Sequence, residues 1–182
     1  MAEMVPQLPV SEQAQIRRDK LAALQAEGRD PFLQTKFDFT ADSVAIKADY
    51  DAFEGKTVRV AGRLMSKRGQ GKVMFCDLQD CTGRIQLFVK IDELGEEEYN
   101  RFKKNDIGDI VGVEGEVFKT KTEEISIRAK SITLLSKSLL PLPEKFHGLT
   151  DKEIRFRQRY VDLMVNPEVK RNFVIRDRKS VV

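Results

Sequence analysis

The sequence is short of the residue types on which most metal and nucleophilic chemistry depends. It holds one histidine, His147, and two cysteines, Cys76 and Cys81. A tetrahedral Cys/His zinc set needs one ligand more than the chain contains, so a structural zinc site is excluded. A Ser-His-Asp arrangement would have to use His147, which sits in Phe146-His147-Gly148 with no nucleophile motif beside it. His147 is read instead as a loop hydrogen-bonding residue. No glycine-rich strand-to-helix phosphate loop is present. No apolar run approaches the roughly 20 residues needed to cross a bilayer. Met1 to Val10 has no basic stretch followed by an apolar one, so no secretory signal is visible and a cytoplasmic location is expected. Cys76 is expected in the core and Cys81 in a turn, a small buried residue and an incidental thiol.

What is present is a foldable and highly charged chain. Of 182 residues, 41% are hydrophobic and 34% charged, with a net charge of +3. That is too apolar for disorder and long enough for a substantial core. The charge is unevenly placed. Residues 59–90 carry seven Lys/Arg against two Asp/Glu, and residues 91–110 three against seven. Such a basic block beside an acidic one fits a polyanion-binding face, and fits ordinary solvated charge as well.

Residues 11–27 read as a helix capped by Ser11, with Ile16, Leu21 and Leu24 on one face and Gly28 and Pro31 stopping it. A second helix is expected from Ala41 to Phe53, with Thr40 as cap and Gly55 as terminator. At Lys56 the hydrophobic period becomes two. Val58, Val60, Gly62 and Leu64 alternate with Arg59, Ala61, Arg63 and Met65. A loop from Ser66 to Lys72 is expected, then a strand with Met74, Cys76 and Leu78 inward, a turn at Asp80-Cys81-Thr82-Gly83, and a third strand, Arg84 to Lys90. Residues 92–104 read as a helix with early acids and late bases, as the helix dipole prefers. Its Glu96-Glu97-Glu98 run reads as a solvated face. Strands Asp109 to Lys119 and Glu124 to Lys130 follow, the second prolonged by Ser131 to Leu135. Three strands, a helix and two strands predict a mainly β fold, a five-stranded Greek-key OB barrel.

Leu140-Pro141-Leu142-Pro143 reads as a stiff connector. Thr150-x-x-Glu153 is a capping box for a helix bearing Ile154, Tyr160, Leu163 and Met164, which Asn166-Pro167 breaks. A last helix from Glu168 carries Val169, Phe173, Val174 and Val181 and has no stop signal, so the chain is expected to end inside an unfinished amphipathic element. The expected division is a helical extension over 1–54, the barrel over 55–138, and a linker with further helices over 139–182.

Strand parity places Arg59, Arg63, Phe75, Gln86 and Phe88 on the barrel's outer side, with Glu124, Ser126 and Arg128, and the first loop adds Lys67, Arg68 and Lys72. Aromatic rings among cations and amides are the chemistry of single-stranded nucleic-acid binding: rings stack on bases, cations follow phosphates, and amides or carboxylates read base edges. Phe75 and Phe88 could equally support the N-terminal helices, and a bulge would flip the parity. Asp77 and Glu124 could mimic a catalytic carboxylate pair, but nothing near them suggests a substrate pocket.

Six segments in order then resemble a known family. They are Val60-Ala61-Gly62-Arg63, Leu78-Gln79-Asp80, Gly83-Arg84-Ile85-Gln86-Leu87, Phe118-Lys119-Thr120-Lys121-Thr122, Pro143-Glu144-Lys145-Phe146-His147-Gly148-Leu149 and Arg157-Gln158-Arg159-Tyr160-Val161-Asp162-Leu163. With them, nearly the whole chain, from Arg17 to Arg176, resembles the N-terminal region of bacterial class II lysyl-tRNA synthetases. The aspartyl and asparaginyl enzymes share the barrel, whereas the Lys-Phe-His-Gly-Leu and Arg-Gln-Arg-Tyr stretches look like the lysyl branch.

The resemblance implies that the barrel binds the anticodon stem-loop of lysine tRNA. The central uridine would stack on Phe75 with contacts from Gln86 and Arg68, and Glu124 would read a further base. Arg59, Arg63 and Lys72 are expected to contact phosphates. The resemblance also implies a parent enzyme that uses ATP and Mg²⁺ to attach lysine to tRNA, and a possible homodimer. Arg171 to Val182 matches only the opening of the first catalytic motif, so the C-terminal helices read as the start of a truncated class II domain. No catalytic residue and no cofactor is expected in this chain, which should bind tRNA without charging it. Two other readings stay open: a general single-strand-binding OB protein, and a dimerisation or protein-interaction fragment.

Overall fold

A computed structural model describes residues 12–142 and 151–179. The chain divides into two compact units, Met1–Pro141 and Leu142–Val182. Ser11, His147, Thr150 and Val181 lie outside the described residues.

In the first unit, α1 (Glu12–Ala26) ends at Gly28, whose φ of 70° lies in the left-handed region. There the Arg29 amide donates to Leu24 O (2.9 Å) and the Gly28 amide to Gln25 O (3.0 Å), a Schellman closure that only glycine enters without strain. The inner face of α1 is Ala14, Arg17, Leu21 and Leu24, while Ile16 is half exposed, so one apolar residue of the expected face points to solvent. A single 3₁₀ turn, Pro31–Leu33, follows, capped by Asp30.

The expected helix from Ala41 to Phe53 is two short helices, α2 (Ser43–Ala48) and α3 (Tyr50–Phe53), parted at Asp49. Its cap is Asp42, whose carboxylate accepts from the Ala45 amide (2.8 Å), rather than Thr40. Thr40 is drawn instead to the first strand: it donates its amide to Arg59 O (2.8 Å), and its Oγ1 accepts from the Arg59 amide (2.9 Å). Backbone pairing thus outcompetes capping at this position.

The strands are β1 (Thr57–Gln70), β2 (Val73–Gln79), β3 (Arg84–Lys90), β4 (Ile110–Lys119) and β5 (Ile125–Ser136). They close a barrel in the order β1-β2-β3-β5-β4, with β4 returning to β1. All ladders are antiparallel except β3–β5, which is parallel through Gln86–Ser126, Leu87–Ile127 and Phe88–Arg128. The core follows the expected alternation: Val58, Val60, Leu64, Met74, Cys76, Leu78, Ile85, Leu87, Val89, Val111, Val113, Val117 and Ile127 are all buried. Burial pushes the Cys76 thiol up to about 12.

Two departures bear on the outer face. First, β1 does not stop at Ser66 but pairs with β2 as far as Gln70, and a bulge between Leu64 and Ser66 inserts Met65 as an extra, buried residue. The bulge flips parity beyond it. Arg68 stays outward opposite Phe75, but Lys67 lies opposite the inward Cys76. Lys67 Nζ donates to the carbonyls of Phe102 (3.0 Å), Lys103 (3.0 Å) and Asn105 (2.9 Å), and burial lowers its pKa. It therefore closes a helix C-terminus and is not a surface cation. Second, Ser126 is on the outer face yet fully buried.

The helix expected over 92–104 is interrupted by Gly95, at φ 86°, into α4 (Ile91–Leu94) and α5 (Glu96–Lys103). Leu94, Tyr99 and Phe102 of these helices join the barrel core. Gly112 has a different role. A Cβ there would stand 2.5 Å from the Phe37 ring, so its bare backbone admits that ring against β4.

At one end of the barrel, Lys137 is 5% exposed and its Nζ donates to Asp106 Oδ2 (2.6 Å) and Asp109 Oδ2 (2.7 Å). Asp109, fully buried, also accepts from the amides of Asp106 and Ser138 (2.8 Å each). Lys20 of α1 reaches Asp106 Oδ1 (2.7 Å), and Arg17 donates to Ser138 O (3.0 Å) and Ile107 O (3.1 Å).

The second unit holds α6 (Lys152–Arg157), α7 (Arg159–Val165) and α8 (Pro167–Lys179). Asp151 caps α6, accepting from the Glu153 (2.8 Å) and Ile154 (3.3 Å) amides. Asp162 is fully buried and accepts from Arg155 (3.0 Å), Arg159 (2.6 Å) and Asn166 (2.6 Å). No helix among the described residues is long and apolar enough to cross a membrane.

Breaking the Lys137 cluster leaves a buried carboxylate without its counter-charge. Lys137→Ala should therefore lose about 3–5 kcal/mol in urea unfolding. Burial pushes the Asp106 carboxyl up, but hydrogen bonds and charge from Lys137 and Lys20 outweigh it and hold it below the usual carboxylate range. Its stabilising contribution is thus present above about pH 4 and disappears as pH falls through the lowered value. An Asp106→Asn variant should lack that part of the acid-induced loss when midpoints are followed from pH 6 downward.

Candidate nucleic-acid interface

The outer surface of the barrel is ordered by strand register, since directly opposed residues share a face. One row across the sheet runs Arg68, Phe75, Phe88, Arg128, Glu116. The adjacent row runs Ser66, Asp77, Gln86, Ser126, Phe118. The parallel β3–β5 pairing joins both rows, so residues from all five strands meet although they are dispersed in sequence.

Three rings form the floor. Phe75 and Phe88 have centroids 5.2 Å apart, tilted by 57°, and Phe88 and Phe118 lie 5.7 Å apart in an edge-on arrangement at 71°. The Arg128 guanidinium covers Phe118 at 4.7 Å. With Arg68, Gln86, Thr120, Lys121 and Thr122 these rings line a groove of about 580 Å³. Its size and mixed lining of rings, amide and cations suit a planar, polar-edged ligand such as a nucleobase.

Polar tethers fix the side chains around the rings. Asp77 Oδ1 stands 3.5 Å from Arg68 Nη2, and Asp77 Oδ2 accepts from Ser66 Oγ. Ser126 Oγ donates to Gln86 Oε1 (3.0 Å). The β4–β5 hairpin is held by the Thr120 amide donating to Glu124 O (3.0 Å), and by Thr120 Oγ1 accepting from the Glu124 amide (3.1 Å). Glu123 takes a left-handed φ of 62° in that turn.

Of the residues singled out from sequence, Arg68, Phe75 and Gln86 are brought together in this groove. Glu124 stands just before β5, exposed and outside the groove lining, with Lys47 of α2 3.4 Å from its carboxylate. Arg59 and Arg63 sit on the half of β1 that pairs with β4, both half buried. Arg63 Nη1 donates to Gly108 O (2.8 Å), and burial lowers its pKa against the opposing charge of Asp109. Lys72 is exposed in the β1–β2 turn and does not line the groove. Phe118 was not foreseen in this role, although alternation from Val117 would have placed it outward. Thr120, Lys121 and Thr122 also line the groove, and nothing in their spacing signals it. Among the described residues no three His, Cys, Asp or Glu side chains gather as a metal site.

The barrel's strands are also similar in sequence to known proteins. The OB-fold nucleic acid binding domain family of the tRNA anticodon type matches residues 58–135. A lysine–tRNA ligase of Clostridium perfringens is 55% identical over 169 residues, covering 93% of this chain and 34% of that protein. Lysine–tRNA ligases of a Thermoanaerobacter species and of Syntrophomonas wolfei are 54% and 53% identical, covering 93% and 94% of this chain. The chain spans about a third of the length of these curated relatives.

Phe88 takes part in two ring pairs and Phe75 in one. Ring pairs contribute roughly 0.5–1.5 kcal/mol each beyond area burial. Phe88→Ala should therefore lower the urea midpoint more than Phe75→Ala, with both variants still folding cooperatively.

Proposed function

We infer the function from one premise: the barrel of this chain is an OB-fold nucleic acid binding domain of the tRNA anticodon family, in a chain that matches the N-terminal region of lysyl-tRNA synthetases. The chain binds the anticodon stem-loop of lysine tRNA on the groove formed by Arg68, Phe75, Gln86, Phe88 and Phe118. The observation that carries this reading is the convergence of half-buried rings, an amide and a cation in one base-sized groove. Phe75 stacks on the central anticodon uridine, Gln86 meets its Watson–Crick edge, and Arg68 contributes charge at the rim. Glu124 reads a neighbouring base once Lys47 yields it, and Arg59, Arg63 and Lys72 supply phosphate contacts around the loop. Such phosphate contacts position the RNA, whereas the ring and amide carry its sequence preference.

The whole enzyme attaches lysine to tRNA with ATP and Mg²⁺ in the cytoplasm, and this chain provides anticodon binding without aminoacylation. Domain limits of 1–54, 55–138 and 139–182 accord with this division of labour. Exposed Phe156, Tyr160 and Phe173 in the second unit support a homodimer built through the C-terminal helices.

Anisotropy titration with a fluorescent lysine-tRNA stem-loop tests the reading. Affinity should fall clearly when the central uridine is replaced. Phe75→Ala should lose about 1–3 kcal/mol of binding. Arg68→Ala should reduce the salt slope by about one if its contact is to phosphate. Equal, salt-sensitive binding to every loop would make the chain a general single-strand binder instead.

A further inference from the structure

We propose that Arg128 is a phosphate contact for the strand that crosses the groove, a guanidinium left without an acid and held in place by the Phe118 ring. This role rests on the reading of the groove as an RNA surface. Two lysines and two acids stand near Arg128: Lys130 two residues on in β5, Lys90 at the end of β3, Glu116 of β4 and Asp92 of α4. Lys90 Nζ lies 2.8 Å from Asp92 Oδ2, and Lys130 Nζ lies 3.2 Å from Glu116 Oε2. Each acid thus has its lysine. Glu116 is directly opposite Arg128 in the β4–β5 ladder, yet its carboxylate pairs with Lys130. Arg128 makes no ion pair and no hydrogen bond among the described residues.

What holds the group is the Phe118 ring, whose centroid is 4.7 Å from Arg128 Cζ. A ring attracts a cation through its quadrupole but has no net charge, so the guanidinium keeps its full charge and its planar fork of donors. That fork matches two phosphate oxygens at once. Its charge is felt at Lys90, where it opposes the rise in pKa that the hydrogen bond to Asp92 brings about. The place is also suitable. Arg128 stands opposite Phe88 in the β3–β5 ladder, and Phe88 stands opposite Phe75 in the β2–β3 ladder. From Arg68 to Arg128 the row therefore runs cation, ring, ring, cation. A nucleotide whose base lies on Phe75 has a phosphate on either side of it, and the two guanidinium groups flank the ring pair. Arg68 has Asp77 3.5 Å away, so Arg128 is the end of the row without a counter-charge. A phosphate contact there fixes the path of the strand over the rings and leaves the choice of base to them.

The experiment measures binding of the full chain to the lysine-tRNA stem-loop, with uridine or cytidine at the central anticodon position, over a series of salt concentrations. It compares the native protein with Arg128→Gln, Arg128→Lys and Phe75→Ala. Glutamine keeps a long polar side chain and removes the charge. Arg128→Gln should weaken binding of both loops by the same factor, about five- to tenfold at low salt. It should also make the slope of log affinity against log salt shallower by about 0.7, the share of one phosphate in a single strand. Arg128→Lys keeps the charge without the fork, so it should restore the slope and only part of the affinity. An unchanged slope in Arg128→Gln overturns the contact, and so does a loss confined to one loop, which would make Arg128 a reader of the base. Failure of Arg128→Lys to restore the slope overturns it as well. Phe75→Ala separates this contact from base stacking, since stacking is uncharged and its loss should leave the slope unchanged. If Phe75→Ala binds as the native protein does while Arg128→Gln still flattens the slope, base stacking falls and the phosphate contact stands. If the native protein binds neither loop, the groove is no RNA surface and both fall.

Discussion

The first unit depends on the two ion pairs that buried Lys137 makes with buried Asp109 and half-buried Asp106. A fully buried carboxylate is tolerable only when its lone pairs are filled. Asp109 meets that condition with one ammonium and two backbone amides. The arrangement ties the entry of β4 to the exit of β5, at the open end of the β4–β5 hairpin. Because Asp106 also takes Lys20, the same charges attach α1. Hydrophobic burial supplies most of the stabilisation, but it is non-directional and would not by itself choose this closure. The ion cluster adds direction by fixing the open end of that hairpin, while the groove residue Phe118 and its partner Ser126 lie toward its turn.

Much of the barrel was legible because a period of two is a strong signal when one face of every strand is buried. Val58, Val60 and Leu64 in β1 and Val111, Val113 and Val117 in β4 were placed inward from alternation alone, and all are buried. Where the reading failed, local chemistry had more than one solution. Thr40 and Asp42 are both competent caps, and only the proximity of the Arg59 backbone decides between them. Gly95 lies inside a stretch with good helical charge order, so composition favoured continuity while its positive φ enforced a break. The stretch from Ser66 to Lys72 is rich in polar residues and glycine and looks like a loop. Its first five residues, Ser66 to Gln70, are strand because β2 is long enough to pair with them, and only Gly71 and Lys72 make the turn.

The site shows the same division. Phe75 and Gln86 follow from parity, and Arg68 remains outward only because the bulge at Met65 shifts the register by one. That single inserted residue sends Lys67 inward to a helix end and Arg68 outward to the groove. Without it the two cations would exchange places. Alternation already faces Phe118 and Ser126 outward, but their meeting with Gln86 and Phe88 comes from the β3–β5 ladder, and pairing between strands distant in sequence leaves no trace in local periodicity.

The seat of Phe37 over Gly112 has an evolutionary corollary. Two positions far apart in the gene share one small volume, in which the ring occupies the place a side chain on β4 would take. Neither is free to drift alone. An alanine at 112 would collide with the ring, and a smaller residue at 37 would leave a void above the strand. Lineages that abandon one should abandon the other, so the pair records in its joint history whether the segment ahead of the barrel has stayed docked on it.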